Sequence, residues 1–471
     1  AVFVGLRGER VDGSTFAREA ERAGAVCIVS ESAVGPDTRG PWVQARDARR
    51  ALAALSVGFF GHPSHHVPVI AITGTNGKTT TAYLIQSIFE CAGVRCGRIG
   101  TIGHQIGSSH HAASLTTPEA SDIQQMLRAM VDEGAGACVM EASSHALALH
   151  RVDQTRFATA VFTNLTRDHL DFHGDMNRYF EAKQRLFEML PKGRPSIVNV
   201  DDPRGAKLAR TVERPVTYAC QADADVTPGE IEASLTGQRF DVRTPRGGLQ
   251  VRSELIGEGN TFNILAAVAA GVALDVPFSA IEAGIAAVEA VPGRFETVSG
   301  DADDVTVVID FAHTDDALRM LLNAARPLAL GRLITVFGCG GDRDRSKRPL
   351  MGAVAARLSD LVVVTSDNPR SEDPQAIIDE VVGGIEPRRD ESGRVPAPVR
   401  PPGEPTPYLT FVDRAEAIDH AVRSAQGGDV VIVAGKGHER SQVMADETVA
   451  FDDAEVARAA LARRRSSSPV S

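Results

Sequence analysis

Short apolar runs alternate with amphipathic helical patterns along most of the chain. Residues 67–72 form one such run, which stops at a glycine-rich loop, and apolar residues then recur at helical spacing through residues 78–89. Other runs end in clusters of polar residues, as at 137–142, 158–163 and 196–200. Because ligands bind beyond the carboxyl ends of strands in open α/β sheets, this pattern predicts mostly parallel sheets with a site beside the glycine loop.

The same pattern divides the chain into three predicted α/β domains, residues 1–67, 68–293 and 294–471. In the first we predict strands at 2–6 and 25–29, helices at 14–23 and 46–60, and a linker at 61–68. The second, central domain contains the glycine loop and a β-rich excursion at 221–256. In the third, strand, polar loop and helix recur four times, which predicts a Rossmann-like fold with strands at 306–311, 333–337, 361–365 and 430–433.

Three segments lie outside this regular pattern. Residues 388–407 are rich in Pro and Arg, and we predict a surface loop there. The Ser-rich residues after Arg463 predict a disordered tail. The chain opens on an apolar run without Met, so we expect the N-terminal domain to be incomplete.

The glycine loop at residues 74–80 reads GTNGKTT. A loop of this kind between a strand and a helix presents backbone N–H groups to an anion, and Lys78 adds a positive charge that can reach terminal phosphates. Thr79 is placed to offer its hydroxyl to Mg²⁺. The spacing departs from the common P-loop because Ile72 stands where the first Gly would be, so an ordinary strand-to-helix turn is the alternative. We predict a P-loop-like turn that binds phosphate groups.

A helical pattern over residues 179–190 places a lysine on an apolar face. Lys183 lies three residues after Phe180 and four before Phe187, so the three side chains point the same way. One interpretation, which periodicity alone favours, is a lysine that lays its stem on apolar surface and keeps its amine in water. The other is a partly buried lysine whose lowered pKa leaves a neutral, reactive amine.

Composition and charge narrow the class of protein. With 43% hydrophobic and 24% charged residues the chain is globular, and no apolar run approaches the ~18 residues that a membrane helix needs. A net charge of −11 argues against a nucleic-acid binder. The six cysteines are scattered without C-x-x-C pairs, which favours reduced thiols in the cytoplasm and no structural zinc. For His62, His65 and His66, a solvated linker is favoured over a metal cluster.

Ten motifs occur in a fixed order over nearly the whole chain. They are GTNGKTT (74–80), TTPE (116–119), EASSHALALHR (141–151), NLTRDHLDFHGDM (164–176), EAKQRLF (181–187), GRFE (293–296), DFAHTDDAL (310–318), GGDRDRSKRPLMG (340–352), DNPRSEDP (367–374) and AGKGHE (434–439). Together they resemble the Mur ligases, ATP-dependent amide-forming enzymes of peptidoglycan synthesis. The set is similar to that of the family members that extend UDP-N-acetylmuramoyl-L-alanyl-D-glutamate, and DNPR is the variant associated with meso-diaminopimelate.

The resemblance implies a cytoplasmic monomer that uses ATP and Mg²⁺ and takes UDP-N-acetylmuramoyl-dipeptide and meso-diaminopimelate as substrates. The substrate carboxylate would attack the γ-phosphate of ATP, and the incoming amine would then attack the acyl phosphate. The implied phosphate-binding residues are Gly74, Thr75, Asn76, Gly77, Lys78, Thr79 and Thr80. The residues implied around the rest of the nucleotide are Asn263, Arg294, Asp310 and His313.

The resemblance also implies metal, peptide and amino-acid sites. Thr79 would hold one Mg²⁺, and Glu141, His169 and Lys183 as an N-carbamate would hold a second. The muramoyl-dipeptide would be bound by Thr116, Thr117, Ser143 and Arg151. The amino acid would be bound by Arg343, Asp367, Asn368, Arg370, Gly435 and Glu439. Catalytic roles fall to Lys78, Lys183 and His313, and the candidates for the base that takes the amine proton are His313 and Glu439.

Arg370 is the residue from which we predict the choice of amino acid. Its planar guanidinium matches the second carboxylate of diaminopimelate, which lysine lacks, while Asp367 and Glu439 suit the far ammonium. The alternative is that Arg370 only caps the helix that begins near Pro374, although a helix N-terminus suits an anion better than a cation.

Three departures from the family pattern limit these assignments. The serine motif that reads uridine is not in this chain. Phe311 and Asp315 stand where the family more often has Tyr and Pro. Residues 259–261 read Gly-Asn-Thr where a Phe-Asn pair is usual, which leaves the register of Asn263 open.

Two other functions compete with this one. Another ligase of the same fold, such as a folylpolyglutamate-type enzyme, would not need the DNPR and GKGHE loops. A non-catalytic nucleotide switch would not need Glu141, His169 and Lys183 to converge beside the phosphate loop.

Overall fold

Three sheets built mainly from parallel strands follow one another along the chain in this computed structural model, which describes residues 1–8, 11–35, 38–234, 236–385 and 406–467. The first sheet has the order β1-β2-β3, and all its pairs are parallel. Its elements are β1 (Val2–Gly5), α1 (Ala17–Arg22), β2 (Cys27–Ser30), β3 (Trp42–Gln44) and α2 (Ala48–Phe59).

The N-terminal unit differs from the sequence prediction in two places. The helix predicted at 14–23 is divided, because a 3-10 turn at Gly13–Phe16 precedes α1 and Asp12 accepts a hydrogen bond from the Ser14 amide. The linker at 61–68 contains a 3-10 turn, Pro63–His65, in which Pro63 and Ser64 are buried. The histidine-rich linker is therefore partly packed.

The second sheet has eight strands in the order β11-β10-β9-β4-β8-β5-β6-β7. Its elements are β4 (Val69–Thr73), α3 (Lys78–Cys91), β5 (Cys96–Gly100), β6 (Gly103–Ile106), β7 (Ser109–His111), α4 (Ala120–Asp132), β8 (Ala137–Glu141), α5 (Ser144–Ala148), β9 (Phe157–Phe162), α6 (Leu170–His173), α7 (Met176–Glu188), β10 (Ser196–Asn199), α8 (Pro203–Ala209) and β11 (Pro215–Tyr218). Only β6 and β7 run antiparallel to their neighbours.

Helices cover both faces of this sheet, which explains why every residue of β4 is apolar or small and buried. Ile85 and Ile88 of α3 pack on one face, and Leu127 of α4 and Leu186 of α7 pack on the other. The β-rich excursion predicted at 221–256 is confirmed. It consists of β12 (Thr227–Pro228), β13 (Glu232–Ser234), β14 (Gly237–Thr244) and β15 (Gly247–Ser253), and α9 (Glu258–Ala273) and α10 (Phe278–Ala286) follow.

The third sheet has six strands in the order β16-β17-β21-β18-β19-β20. Its elements are β16 (Glu296–Thr297), β17 (Thr306–Asp310), α11 (Asp315–Ala325), β18 (Leu333–Phe337), α12 (Lys347–Leu358), β19 (Leu361–Thr365), α13 (Pro374–Ile385), β20 (Tyr408–Phe411), α14 (Arg414–Ser424) and β21 (Val430–Ala434). The hairpin β22 (Ser441–Val443) and β23 (Thr448–Ala450) and the helix α15 (Asp453–Ser467) complete the chain. The four predicted strands are confirmed, and α11–α13 and α14–α15 cover opposite faces.

The prediction of disorder after Arg463 is wrong for residues 464–467, because α15 continues to Ser467. Arg464 and Arg465 there form ion pairs with Asp304 and Asp303, which fix the last turn of the helix. Most of the surface loop predicted at 388–407 lies outside the described residues, as do the last four residues of the chain.

A buried ion pair joins the two helices behind the third sheet. Arg414 of α14 and Asp453 of α15 both have fully buried side chains, with Nη2 2.7 Å from Oδ2. Arg414 also donates to the carbonyl of Ala434 at 3.0 Å and to that of Ser366 at 3.4 Å. These carbonyls lie at the carboxyl ends of β21 and β19, so the pair supports the loops that leave both strands.

We expect Arg414→Met to lower the local unfolding free energy around β19 and β21 by about 3–5 kcal/mol, because it leaves the Asp453 carboxylate buried without a partner. Native-state amide hydrogen exchange of the two strands measures this. Arg423→Met is the control, since Arg423 is half exposed and pairs only with Asp419. Equal protection in both variants would contradict the expectation.

Candidate active site at the sheet edges

The glycine loop closes the carboxyl end of β4 and is tied to the loop that follows β9. The amide of Asn76 donates to Asn164 Oδ1 at 2.9 Å, and Thr163 Oγ1 donates to the carbonyl of Asn76 at 2.6 Å. Gly77 has a φ of 85°, and a Cβ there would lie 2.2 Å from Asn263 Oδ1. Asn263 of α9 therefore packs directly on the loop, and its role in nucleotide binding stays a prediction.

Lys78 does not extend from the loop in this structure. Its Nζ donates to the carbonyls of Gly74 at 3.0 Å and Thr75 at 2.8 Å. Burial lowers the pKa of Lys78, while the carboxylates of Glu141 and Asp168 act in the opposite direction. Thr79 and Thr80 lie buried in the first turn of α3. The loop thus places a cation and a helix N-terminus around one point, as phosphate binding requires.

Glu141, at the end of β8, collects three hydrogen bonds. Thr79 Oγ1 and Thr101 Oγ1 each donate to Oε2 at 2.9 Å, and the Thr101 amide donates to Oε1 at 2.9 Å. Mg²⁺ prefers carboxylate and hydroxyl oxygens, so Thr79 and Glu141 are suitable ligand types in one place. Among the described residues, no three or more His, Cys, Asp or Glu side chains are grouped to hold a metal ion.

Lys183 is buried, with 1% of its surface exposed, and this rules out the interpretation in which its amine reaches water. Nζ donates to the carbonyl of Gly74 at 2.8 Å and lies 4.4 Å from the centroid of the Tyr179 ring. Burial, and secondly the charge of Lys78, lower the pKa of Lys183 well below its usual value. The amine therefore gives up its proton far more easily than an exposed lysine.

His169 stands beside Asp168 in a left-handed backbone conformation, with a φ of 54°. Its Nε2 lies 3.3 Å from Asp168 Oδ2, and its ring packs edge-on against His145 at 4.8 Å. Burial lowers the pKa of His169 to about 3. The imidazole is neutral at ordinary pH, which is the form that binds metal ions.

The residues predicted around the nucleotide come together across two sheets. The Arg294 guanidinium lies over the Phe311 ring at 4.5 Å and donates to Thr79 Oγ1 at 3.4 Å. Asp310 accepts from the amides of Phe295 and Ala312, both at 2.7 Å, and burial raises its pKa. Phe311, where the family more often has Tyr, therefore supports Arg294 through its ring face.

His313 is oriented by the backbone. Its Nδ1 lies 2.9 Å from the carbonyl of Phe311, which can only accept, so Nδ1 carries the proton. Nε2 faces Asp168 at 3.7 Å. Burial opposes ionisation of Asp168, but the facing His313 imidazole and the charge of Lys347 hold its pKa well below its usual range.

The residues predicted to bind the muramoyl-dipeptide form one connected group. Thr117 Oγ1 donates to the Glu141 carbonyl at 2.7 Å and accepts from the Ser143 amide at 3.0 Å. Arg151 donates to the Thr117 carbonyl at 3.2 Å and lies 2.9 Å from Glu119. Thr116 Oγ1 lies 3.1 Å from Thr101 Oγ1. Thr116, Thr117 and Ser143 therefore lie beside Glu141 or the Thr101 side chain that bonds it, and Arg151 is joined to them through Thr117.

The residues predicted to bind the amino acid meet at the ends of β19 and β21. Asn368 donates to Glu439 Oε2 at 2.8 Å. Arg370 donates to the Gly341 carbonyl at 2.8 Å, and burial and the charge of Arg343 lower its pKa. A contact with this neighbouring loop contradicts the alternative in which Arg370 only caps α13. Gly435, with a φ of 116°, has no room for a Cβ, which would lie 2.5 Å from Asp367 Oδ2.

Sequence analysis missed several residues of the site. Lys436 is fully buried and bonds Glu439 at 3.0 Å and Asn368 at 3.1 Å, so Glu439 already has a cationic partner. Arg348 is fully buried between Glu372 and Glu380 and holds the Gly340 carbonyl at 3.2 Å. Both residues lie inside the motifs given above. The position of Lys436 between two glycines was the sequence feature that could have indicated a buried lysine.

Polar contacts bridge the second and third sheets. Arg167, in the loop after β9, lies 3.3 Å from Asp315 and donates to Ser346 at 3.2 Å. The Asp168–His313 contact runs beside it. Asp315 is the residue that stands where the family more often has Pro, so this chain has an ion pair at that point of the cleft.

Two family models match the chain. Residues 72–271 match the Mur ligase middle domain, and residues 293–437 match the Mur ligase glutamate ligase domain. The chain belongs to the Mur ligase family. Within the described residues, no helix has the length and apolar character to span a membrane.

Individual Mur ligases resemble the chain over nearly its full length. It is 45% identical over 466 residues to UDP-N-acetylmuramoyl-L-alanyl-D-glutamate–2,6-diaminopimelate ligase of Gloeobacter violaceus, covering 99% of this chain and 92% of that protein. A solved structure of a ligase of that name is 32% identical with a TM-score of 0.65, covering 98% of this chain and 92% of the other. Folylpolyglutamate synthase from Mycobacterium tuberculosis, with ADP and AMPPCP, is 19% identical with a TM-score of 0.65, over 89% of this chain and 95% of its own, and shares the fold.

We expect the third sheet to swing about residues 291–294, and Asp315→Asn to shift the equilibrium toward an open form. The ion pair is partly exposed, so its loss should change the open-to-closed ratio about two- to fivefold, or about 0.5–1 kcal/mol. Small-angle scattering of the ligand-free protein should give a larger radius of gyration.

Asp316→Asn is the matched control, because Asp316 pairs with Arg319 on its own helix. A hinge would be contradicted if wild type and Asp315→Asn gave the same scattering profile and if neither profile changed on adding an ATP analogue plus substrates.

Proposed function

We propose that this chain is an ATP-dependent ligase that adds meso-diaminopimelate to UDP-N-acetylmuramoyl-L-alanyl-D-glutamate in cytoplasmic peptidoglycan precursor synthesis. The observation that carries the proposal is the meeting of the phosphate loop, Glu141 and buried Lys183 at one sheet edge, opposite the loops of Asn368 and Arg370. The near full-length similarity to ligases of that name supports the choice of substrates. In this proposal the protein is a monomer with domains at residues 1–67, 68–293 and 294–471.

The first step is transfer of the γ-phosphate to the substrate carboxylate, which gives an acyl phosphate and ADP. The glycine loop binds the phosphates, and Lys78 and Arg294 neutralise charge as it moves to the leaving oxygen. Asn263, Asp310 and His313 hold the nucleotide, and Thr116, Thr117, Ser143 and Arg151 orient the dipeptide. Mg²⁺, held through Thr79 and Glu141 with His169 and Lys183 nearby, would supply further positive charge to the phosphates.

The second step is attack of the amine on the acyl carbon, which forms the amide and releases phosphate. Asp367, Asn368 and Glu439 offer acceptors to the amino acid, and Arg343 and Arg370 offer donors to a carboxylate. The Nδ1–H of His313 is fixed by the Phe311 carbonyl, so its Nε2 is the ring atom that can accept a proton. Closing the cleft brings the two groups of residues together.

Lys183 would act as an N-carbamate. Its neutral amine attacks the carbon of CO₂, an N–C bond forms and one proton leaves, so a cation in the pocket is replaced by an anion. Burial and the nearby charge of Lys78 both favour the neutral amine that reacts, and the positive charge of Lys78 also stabilises the carbamate anion. The carbamate oxygens would then complete the ligands for the metal beside Glu141 and His169.

We expect Lys183→Ala to lose at least about 1000-fold in turnover, as is typical when charge stabilisation at the transferred phosphate is removed. A short carboxylic acid such as acetate should restore part of it by entering the vacated space. ADP release at saturating substrates measures both effects. The control is Lys192→Ala, since Lys192 is exposed, and a Lys183→Ala variant with normal turnover would rule out the carbamate.

The function is tested by ADP release with UDP-muramoyl-dipeptide and either meso-diaminopimelate or lysine. We expect release with diaminopimelate and a loss of about 30- to 1000-fold with lysine, because lysine leaves the partly buried guanidinium of Arg370 without its carboxylate. Arg370→Ala should raise the KM for diaminopimelate far more than the KM for ATP.

Arg345→Ala is the control for Arg370→Ala, since Arg345 lies nearby but is mostly exposed and paired with Glu380. A wild type that prefers lysine would overturn the amino-acid assignment while leaving the ligase reaction intact. Absence of ADP release with every amino acid would overturn the ligase reaction itself.

A further inference from the structure

Arg98 lies in β5 with its guanidinium on the face that packs against α3. The residue is 5% exposed, and Cζ is 3.5 Å from the centroid of the Tyr83 ring. Nε is enclosed without a hydrogen-bond partner, and nowhere in the described part of the chain does another group form an ion pair or hydrogen bond with this side chain. A tyrosine face replaces only part of the hydration that a buried cation loses.

Other deeply buried guanidinium groups of this protein are paired with carboxylates. Arg348 contacts Glu372 at 2.8 Å and Arg414 contacts Asp453 at 2.7 Å. Removing water from an arginine without such a partner is strongly unfavourable. Arg98 is therefore incomplete in the ligand-free protein in a way that these two are not.

The Arg98–Tyr83 stack lies on the same side of the sheet as the contact between Thr79 and Glu141. Tyr83 follows Thr79 by one turn of α3, and Arg98 precedes Gly100 by two residues on the same face of β5. A Cβ at Gly100 would lie 2.3 Å from Glu141 Oε1, so the Glu141 side chain passes over this face. Burial lowers the pKa of Arg98, while Tyr83 and Glu141 oppose that shift, which places both groups in its electrostatic range.

We propose that Arg98, held flat by Tyr83, is an anion-binding group of the cleft that takes an oxyanion of a bound substrate, either a carboxylate or a phosphoryl group, beside Thr79 and Glu141. Such a ligand supplies the acceptors that the protein does not, and a planar guanidinium binds two oxygens at once. Tyr83 fixes the plane of the guanidinium, so little side-chain freedom is lost on binding. The inference rests on the proposed function only for which ligands to test.

The experiment measures binding of each ligand alone by calorimetry, with no turnover required. The probes are Mg-ADP, UDP-muramoyl-dipeptide, meso-diaminopimelate and inorganic phosphate. We expect Arg98→Met to weaken one of them about 10- to 100-fold, as loss of a charge-assisted hydrogen bond does, and Arg98→Lys to recover part of the affinity. Arg128→Met is the control, because Arg128 pairs with Asp132 on its own helix.

The melting temperature of the ligand-free protein gives a second readout. If Arg98 is a ligand-binding group, Arg98→Met removes an unpaired buried charge, so the melting temperature of the variant should equal or exceed that of wild type.

Affinities of Arg98→Met within twofold of wild type for every probe would overturn the proposal. So would an equal loss of all affinities together with a lower melting temperature, because that marks general damage. Selective loss for Mg-ADP or phosphate identifies a phosphoryl group, and selective loss for the dipeptide or amino acid a carboxylate. If the wild type binds none of the probes, both this inference and the proposed function are overturned. If the wild type binds them and Arg98→Met binds them equally well, only this inference is overturned.

Discussion

Two lysine side chains share a single backbone acceptor, the carbonyl of Gly74. Lys78 donates to it at 3.0 Å and Lys183 at 2.8 Å, and Lys183 is buried while Lys78 is partly buried. Two ammonium groups so close cannot both keep their protons easily, so the cost falls on the more deeply buried Lys183. This shared acceptor joins α7, which carries Lys183, to the phosphate loop.

The contact between the two lysines and Gly74 is possible because hydrogen bonds from neighbouring segments hold the glycine loop and α7 in place. The loop is held to residues 163–166 by hydrogen bonds, and Tyr179 meets Thr75 Oγ1 at 3.1 Å. Tyr179 thus joins α7 to the loop at the same point where it lies against Lys183. On the other side of the cleft, the buried pair of Arg414 and Asp453 serves the same purpose for the loops that carry Asn368 and Glu439. Each half of the site is thus held by contacts within its own domain, and the hinge that we expect lies between the two halves.

Much of the fold follows from local sequence. The predicted strands β4, β8, β9 and β10 of the second sheet and β17, β18, β19 and β21 of the third lie close to their apolar runs, and the glycine loop joins a strand to a helix as expected. The sequence prediction missed the edge strands β3, β7 and β20, which have three or four mostly exposed residues, and also β5, β6, β11 and β16. Residues 464–467 were predicted to be disordered because of their serines, whereas ion pairs of Arg464 and Arg465 with Asp304 and Asp303 hold them as the last turn of α15.

The sequence by itself determined which residues stand at strand ends and which way Lys183 points, since both depend on periods of two and 3.6 residues. Only the tertiary structure decided how deeply Lys183 is buried, that Lys436 bonds to the Glu439 carboxylate, and that Arg98 Nε has no hydrogen-bond partner among the described residues. Periodicity gives the direction of a side chain. It does not give the amount of water that distant segments remove from it or the charges that they bring near, and those two quantities set the chemistry of a buried ionisable group.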